Sequence, residues 1–355
     1  MKTNSMQRRE FIKTSGFAAT TLLTPFNIIH KKNQLADEIL GQGDYTYRLE
    51  KDWGKLDENQ FPVNNCHEMV MDRAGRMILL TDHPKNNILI YSQSGKLLDS
   101  WTLNFSGAHG LTLHDEGGEQ FLYITDPSTG TVVKTNLKGK ILLSLDSPLK
   151  TGNYVDHAPY KPTETTIGPN GDIYVADGYG SQFVLQYSSK GEFIRKFGGD
   201  SFLQQDKFKQ VHGVTLDTRN KDNPTLLCSE RIKNTIKRFS LDGKFMEDIY
   251  LPGAFMSRVV INDQNIYSGV CFGMTKDNYN MQLNLGFVTI LDKNNKVVSN
   301  PGGKKPVYLD GKLQMMTQDK PTFKHCHDVC VDQDKNLYVC QWNAGKAYPS
   351  KLHRV

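Results

Sequence analysis

"PTETTIGPNGDIYVADGYGSQFVLQYSSKGEFIRKF" (162–197) alternates short β-branched and aromatic runs with turn residues. It reads as strand, loop, strand, short loop, strand, glycine turn, strand. Period-two runs bounded by Gly, Asn and Asp are strand signals, and the glycine of "SSKG" supplies the positive φ of a tight hairpin. The same order recurs along the chain. The turns "YSQSGKLL" (91–98), "TNLKGKIL" (135–142), "YSSKGEFI" (187–194), "FSLDGKFM" (239–246) and "LDKNNKVV" (291–298) set Gly95, Gly139, Gly191, Gly243 and Asn295 44 to 52 residues apart. A second element accompanies them: "CHEMVMD" (66–72), "AHGLTLH" (108–114), "PTETTIG" (162–168), "VHGVTLD" (211–217), "MSRVVIN" (256–262) and "CHDVCVD" (326–332).

Six units of four antiparallel strands at one period predict an all-β, six-bladed β-propeller. The blades are expected at about 61–104, 105–150, 155–203, 205–250, 251–298 and 320–355. The sixth unit runs out at its third strand, "SKLHRV" (350–355), and "DYTYRLEKDW" (44–53) is an unassigned strand-like segment ahead of the first unit. Pairing the two would close the ring and remove two exposed sheet edges.

Composition bounds the function. With 38% hydrophobic and 23% charged residues the 355-residue chain has the profile of a soluble protein. Its net charge of +5 sits at one end: of 43 basic and 38 acidic residues, six and one fall in residues 1–32, leaving 37 of each elsewhere. No basic stripe remains for nucleic acid. The segment "QRREFIKTSGFAATTLLTPFNII" (7–29) joins Arg8-Arg9 to an apolar run too short for a comfortable membrane span. It resembles a twin-arginine export signal, so 1–40 is expected to be signal and linker and 41–355 an exported domain of the periplasm or cell envelope, without a stable membrane span after processing. The six cysteines show no framework spacing, and most sit in apolar runs where buried free thiols are common.

Innermost propeller strands line a central channel, so equivalent positions converge on its axis. The residues opening the six first strands are His67, His109, Thr163, His212, Ser257 and His327; those after them are Glu68, Gly110, Glu164, Gly213, Arg258 and Asp328. Four imidazoles at one mouth suit zinc, iron or copper, and three histidines with an open position describe a catalytic zinc site. The alternative is that a tight approach to the axis favours H-G there without any metal. His325 and the cysteines fall out of phase with the ring. In the turns after the second strands, Tyr179 and Arg231 exceed what turn chemistry needs. Tyr179 could serve as a general base, and Arg231 or Arg258 could hold a carboxylate.

The pieces "AHGLTL", "IYVADGYGSQFVLQYSSKGEFI", "VHGVTLD", "LCSERIKNTIKRF" and "CHDVCVD" resemble the six-bladed NHL-repeat propellers, and within them the peptidyl-α-hydroxyglycine α-amidating lyases. The resemblance implies a catalytic zinc on His109, His212 and His327, a catalytic tyrosine at Tyr179, a substrate-facing arginine at Arg231, and a channel calcium on Asp328 with the carbonyls of Leu111 and Met69. There are departures. An expected arginine position reads Asp82-His83, a small residue opening the first unit is His67 (a fourth ligand or a second base), and Gly180 replaces a disulfide cysteine. The expectation is an exported, single-domain monomer acting as a metal-dependent lyase at a hydroxyl-bearing carbon of a small-molecule, glycan or peptide-derived substrate. The alternatives are a calcium-dependent, sugar-lactonase-like hydrolase working through Glu68, Glu164 and Asp328, and a non-catalytic NHL-type binding module using the long segment 300–323, which could equally be a lid.

Overall fold

Residues 164–198 fold as the repeat predicts. Their strands are Glu164–Ile167, Ile173–Ala176, Phe183–Tyr187 and Phe193–Gly198, each antiparallel to the last. Gly191 closes the final hairpin at φ 87°, a conformation that glycine adopts without steric cost. The computed structural model describes residues 38–355 and arranges them as a six-bladed propeller. Blades one, two and four repeat this four-stranded order, starting from Cys66–Met71, Leu111–Glu116 and Val211–Asp217. The expected export signal falls almost wholly on residues 1–37, outside the described residues.

Blade six takes its outer strands from the N-terminal side. Tyr45–Glu50 pairs antiparallel with Ser350–Arg354, setting Tyr47 opposite Arg354 and Leu49 opposite Leu352. Ile39–Gln42 adds a fifth strand outside it, which the repeat did not foreshadow.

Blade five departs further. "MSRVVIN" does not form one strand: Phe255–Met256 and Val260–Asn262 pair separately with the long strand Asn265–Thr275, and Ser257–Val259 lies between them. The far end of that long strand forms a further hairpin with Asn278–Gln282. The segment 300–323 folds back on blade five, where Met316 N donates to Pro252 O and Gln318 N to Met274 O.

What holds the ring is packing between sheets. Each apolar cluster joins two neighbouring blades: Leu80 and Ile90 with Leu122 and Ile124, Tyr123 with Val175 and Leu185, Ala176 with Val214 and Cys228. The series continues through Leu227 with Val270 to Tyr267 with Val339, and Met69 with Cys330 and Cys340 completes the circle. All six cysteines are free and buried. Tyr47 is fully buried in the cluster between blades five and six. Tyr47→Ala should therefore cost about 3–5 kcal/mol, the usual penalty for emptying a large core site. A chemical-denaturation curve on purified protein checks this, and an unchanged midpoint would show that the N-terminal strand does not hold the ring.

Candidate functional site

Three of the four ring histidines owe their direction to β-bulges. Cys66 faces Thr81 while Glu68 faces Leu80; Val211 faces Glu230 while Gly213 faces Ser229; Cys326 faces Gln341 while Asp328 faces Cys340. His67, His212 and His327 are the extra residues, and a bulge re-aims the side chain it carries. Close approach between blades is the second requirement. A Cβ on Gly110 would lie 2.5 Å from Thr163 O, and one on Gly178 would lie 2.1 Å from Val211 O. The H-G pairs and the D-G-Y turn therefore reflect spacing at the axis as well as chemistry.

The four imidazoles meet there. Ring centroids lie 4.9 Å apart for His67–His109 and His67–His327, 4.8 Å for His109–His212 and His109–His327, and 5.1 Å for His212–His327. All four rings are buried. His109 Nδ1 is 2.8 Å from Thr163 O and His327 Nδ1 is 2.9 Å from His67 O. A carbonyl can only accept, so both Nδ1 atoms carry the proton and each Nε2 keeps its lone pair. That is the second-sphere arrangement that orients metal-ligating histidines. His327 Nε2 is buried with no partner, and candidate donor atoms of His67, His109 and His327 lie within 4.8 Å of one another. This group could hold a metal ion. Burial, reinforced by the Arg231 charge, pushes His109, His212 and His327 well below the usual imidazole range, which keeps them neutral and able to ligate.

His212 stands at the other end of the cluster. Its Nε2 is 2.8 Å from Tyr179 Oη, which is also 3.1 Å from His109 Nε2. The turn carrying Tyr179 is braced by Asp177, whose carboxylate accepts from Lys161 N at 2.6 Å, Ser181 N at 2.7 Å and Tyr154 Oη at 2.8 Å. Burial raises the Tyr179 phenol and the neighbouring Arg231 guanidinium partly opposes that rise. Arg231 is itself fixed, donating from Nε to Met256 O at 3.1 Å and from Nη2 to Ser257 Oγ at 2.9 Å while stacking over Phe272.

These groups border a cavity of about 610 Å³ that includes His67, His109, Tyr179, Arg231 and Asp82 in its walls. Asp82 receives Asn65 N at 2.8 Å and lies 3.4 Å from His67 Nε2. Burial would raise its carboxyl, but the bonds from His67 and Asn65 outweigh that and hold it below the usual range. Lys161, Phe272, Met281 and Trp342 complete much of the wall. Sequence reading gave these no role. Trp342 does follow a second strand as Tyr179 does, whereas Phe272 lies within the long strand Asn265–Thr275, Met281 in the added hairpin and Lys161 in a loop outside the repeat. No residue of 300–323 is among those lining this cavity. His325 is packed between Phe272 and Trp342, accepting from Asn284 N.

Arg258 corrects the sequence reading twice. It is absent from the walls of this cavity: its guanidinium lies among the residues that follow the ring histidines. It donates from Nε and Nη2 to Asp328 Oδ1 and Oδ2, both at 2.8 Å, from Nη1 to Leu111 O at 2.8 Å and from Nη2 to Met69 O at 3.2 Å. It is also ion-paired with Glu68 at 2.8 Å and Glu164 at 3.5 Å. The oxygens of Asp328, Leu111 and Met69 expected to hold calcium are thus engaged by the Arg258 guanidinium, which leaves no room for the ion while that side chain is in place. Glu68 and Asp328 are likewise absent from the walls of this cavity, whereas Glu164, Met69, Leu111 and Arg258 line a separate cavity of about 390 Å³. Burial pushes the Glu68 carboxyl up, with Arg258 pulling against it and Glu164 adding to the rise.

No family model matches the chain. It is 27% identical over 182 residues to NHL repeat-containing protein 3 of Mus musculus, covering 49% of this chain and 52% of that protein. It is 28% identical over 288 residues to peptidyl-alpha-hydroxyglycine alpha-amidating lyase 1 of Drosophila melanogaster, covering 74% and 47%. The chain thus spans about half the length of these curated relatives. Among solved structures it resembles a streptogramin B lyase (TM-score 0.56, 15% identity, 86% of this chain and 97% of that one). It also resembles a gluconolactonase from Xanthomonas campestris (TM-score 0.57, 11% identity, 86% and 89%). At these identities the structural likeness is one of fold. The chain is similar, at modest identity, to NHL-repeat proteins and amidating lyases.

Purified protein should carry a transition metal at near-stoichiometric level by elemental analysis. His327→Ala should lose most of it while the thermal transition stays cooperative. Metal-free wild-type protein after purification in metal-replete buffer would sink the assignment.

Proposed function

We propose that this chain is a metal-dependent lyase that breaks a bond at a hydroxyl-bearing carbon, with an N-acylated α-hydroxy amino acid as the substrate class. The observation that carries the reading is Tyr179 Oη held between His109 and His212 at the edge of a buried three-histidine group. The similarity to amidating lyases supports the same reaction class. We take zinc or iron as the metal on His67, His109 and His327 with His212 alongside; when bound it would supply a Lewis acid to a substrate oxygen.

The chain's own residues have separate tasks. Tyr179 is placed to take the hydroxyl proton as the carbon–oxygen double bond forms and the carbon–nitrogen bond breaks; the departing amide nitrogen regains a proton. Arg231 lies beside the phenol, where its charge favours the phenolate form needed to accept that proton. With Lys161 it also gives the cavity a cationic side suited to a carboxylate. His67 Nε2 lies 3.4 Å from Asp82, which orients the ring and leaves its other nitrogen free to ligate. Phe272, Met281 and Trp342 provide an apolar wall for the acyl portion and limit water.

The twin-arginine-like segment supports an exported location in the periplasm or cell envelope, and we carry that as part of the proposal. The non-catalytic alternative does not account for a tyrosine and four imidazoles gathered at one buried point.

The test uses a small N-acyl-α-hydroxyglycine and follows release of glyoxylate. Tyr179→Phe should lower kcat by about 10²–10⁴-fold, the usual worth of a proton-transfer group, with metal content unchanged. If metal-loaded wild-type protein releases no glyoxylate from such substrates, this reading fails; if Tyr179→Phe keeps the wild-type rate, the tyrosine is not the base.

A further inference from the structure

The ring position following each opening residue forms a second tier on the axis. Blade one supplies Glu68 and Met69 O, blade two Leu111 O, blade three Glu164 and blade six Asp328. Blade five supplies Arg258, and six oxygen atoms lie between 2.8 and 3.5 Å from its guanidinium nitrogens. Blade four contributes Gly213, where a Cβ would come within 2.8 Å of Arg258 Cα and Cβ.

The composition of this cage is that of a hard-cation site. Three carboxylates and two carbonyls from four different blades would bind calcium, which takes six to eight oxygens. Without a cation these buried carboxylates would repel one another at close range, at a cost few folds can bear. Arg258 meets the need differently. Its planar fork pairs bidentately with Asp328 and reaches both carbonyls and Glu68 as well, which a single ammonium could not do. Its direction is built into blade five: the strand that should carry it is broken at Ser257–Val259, and Ser268 Oγ secures Arg258 O at 2.6 Å.

We propose that Arg258 is the resident cation of this channel, a covalently attached substitute for a divalent ion, so that the ring stays closed without calcium. The same cage is a latent calcium site that the arginine side chain occupies. The proposal is independent of the reaction assigned to the histidine tier.

Thermal melting separates the possibilities. Wild-type protein should melt at the same temperature in calcium and in a calcium-selective chelator. Arg258→Ser should melt lower in chelator, by roughly 5–10 °C given the cost of leaving buried carboxylates unpaired, and recover most of that in millimolar calcium. Calorimetry should find one calcium site in Arg258→Ser and none in the wild type. The double variant Arg258→Ser/Asp328→Asn should lose the calcium response, which excludes binding elsewhere. A calcium-dependent wild-type melting temperature would overturn the proposal. So would an Arg258→Ser protein whose stability ignores calcium, or one that does not fold at any calcium concentration.

Discussion

A ring of sheets keeps its axis only if it is closed, and here closure is made by backbone pairing between segments about three hundred residues apart. Tyr45–Glu50 completes the blade begun by Cys326–Val331, and that blade packs against the first through Cys330, Cys340 and Met69. One consequence reaches straight into the site. His327 is oriented by the carbonyl of His67, a hydrogen bond that crosses the junction between the last blade and the first. The donor cluster is therefore a product of closure: an open ring would separate His67 from His327 and leave both without the geometry that makes them useful.

Two layers stacked on that axis solve opposite electrostatic problems. In the upper layer His109, His212 and His327 must stay neutral while buried, and burial itself achieves this, helped by the positive charge of Arg231. The layer beneath carries three carboxyl groups, which alone would draw protons onto the imidazoles. Arg258 faces those acids and also acts to lower His109, so it screens the upper layer from the lower one. An arginine is well suited to this because it cannot be deprotonated in a protein and cannot diffuse away.

Much of this was legible because a propeller turns sequence phase into spatial position. The register that aligned His67, His109, His212 and His327 also grouped Glu68, Glu164, Arg258 and Asp328, and both groups converge. Phase does not give direction along the axis. Arg258 and Tyr179 both read as groups at the mouth, yet only Tyr179 lines the cavity there, because its turn follows the second strand whereas Arg258 belongs to the tier below. Features that break the repeat were invisible for the same reason. The split first strand of blade five, the hairpin bearing Met281 and the loop bearing Lys161 have no equivalent elsewhere in the chain from which to infer them. Segment 300–323 read on length as either a partner surface or a lid, and its packing against Pro252 and Met274 shows that length says nothing of destination.

Asp82 shows how a departure from a family pattern gains meaning from structure. As a sequence difference it is only a reversed charge. In the fold it is bonded to Asn65 and His67 and lies on the same cavity as Arg231 and Lys161, which bring the opposite sign. A cavity with acid and base in different parts of its wall, and apolar side chains between, orients a substrate that is itself polarised. An anionic end is drawn toward the arginine and repelled from Asp82, while a hydrogen-bond donor is accepted there. On the proposed function, the reversed charge leaves Tyr179 and its histidine partners in place and acts on which molecules the cavity receives, and in which orientation.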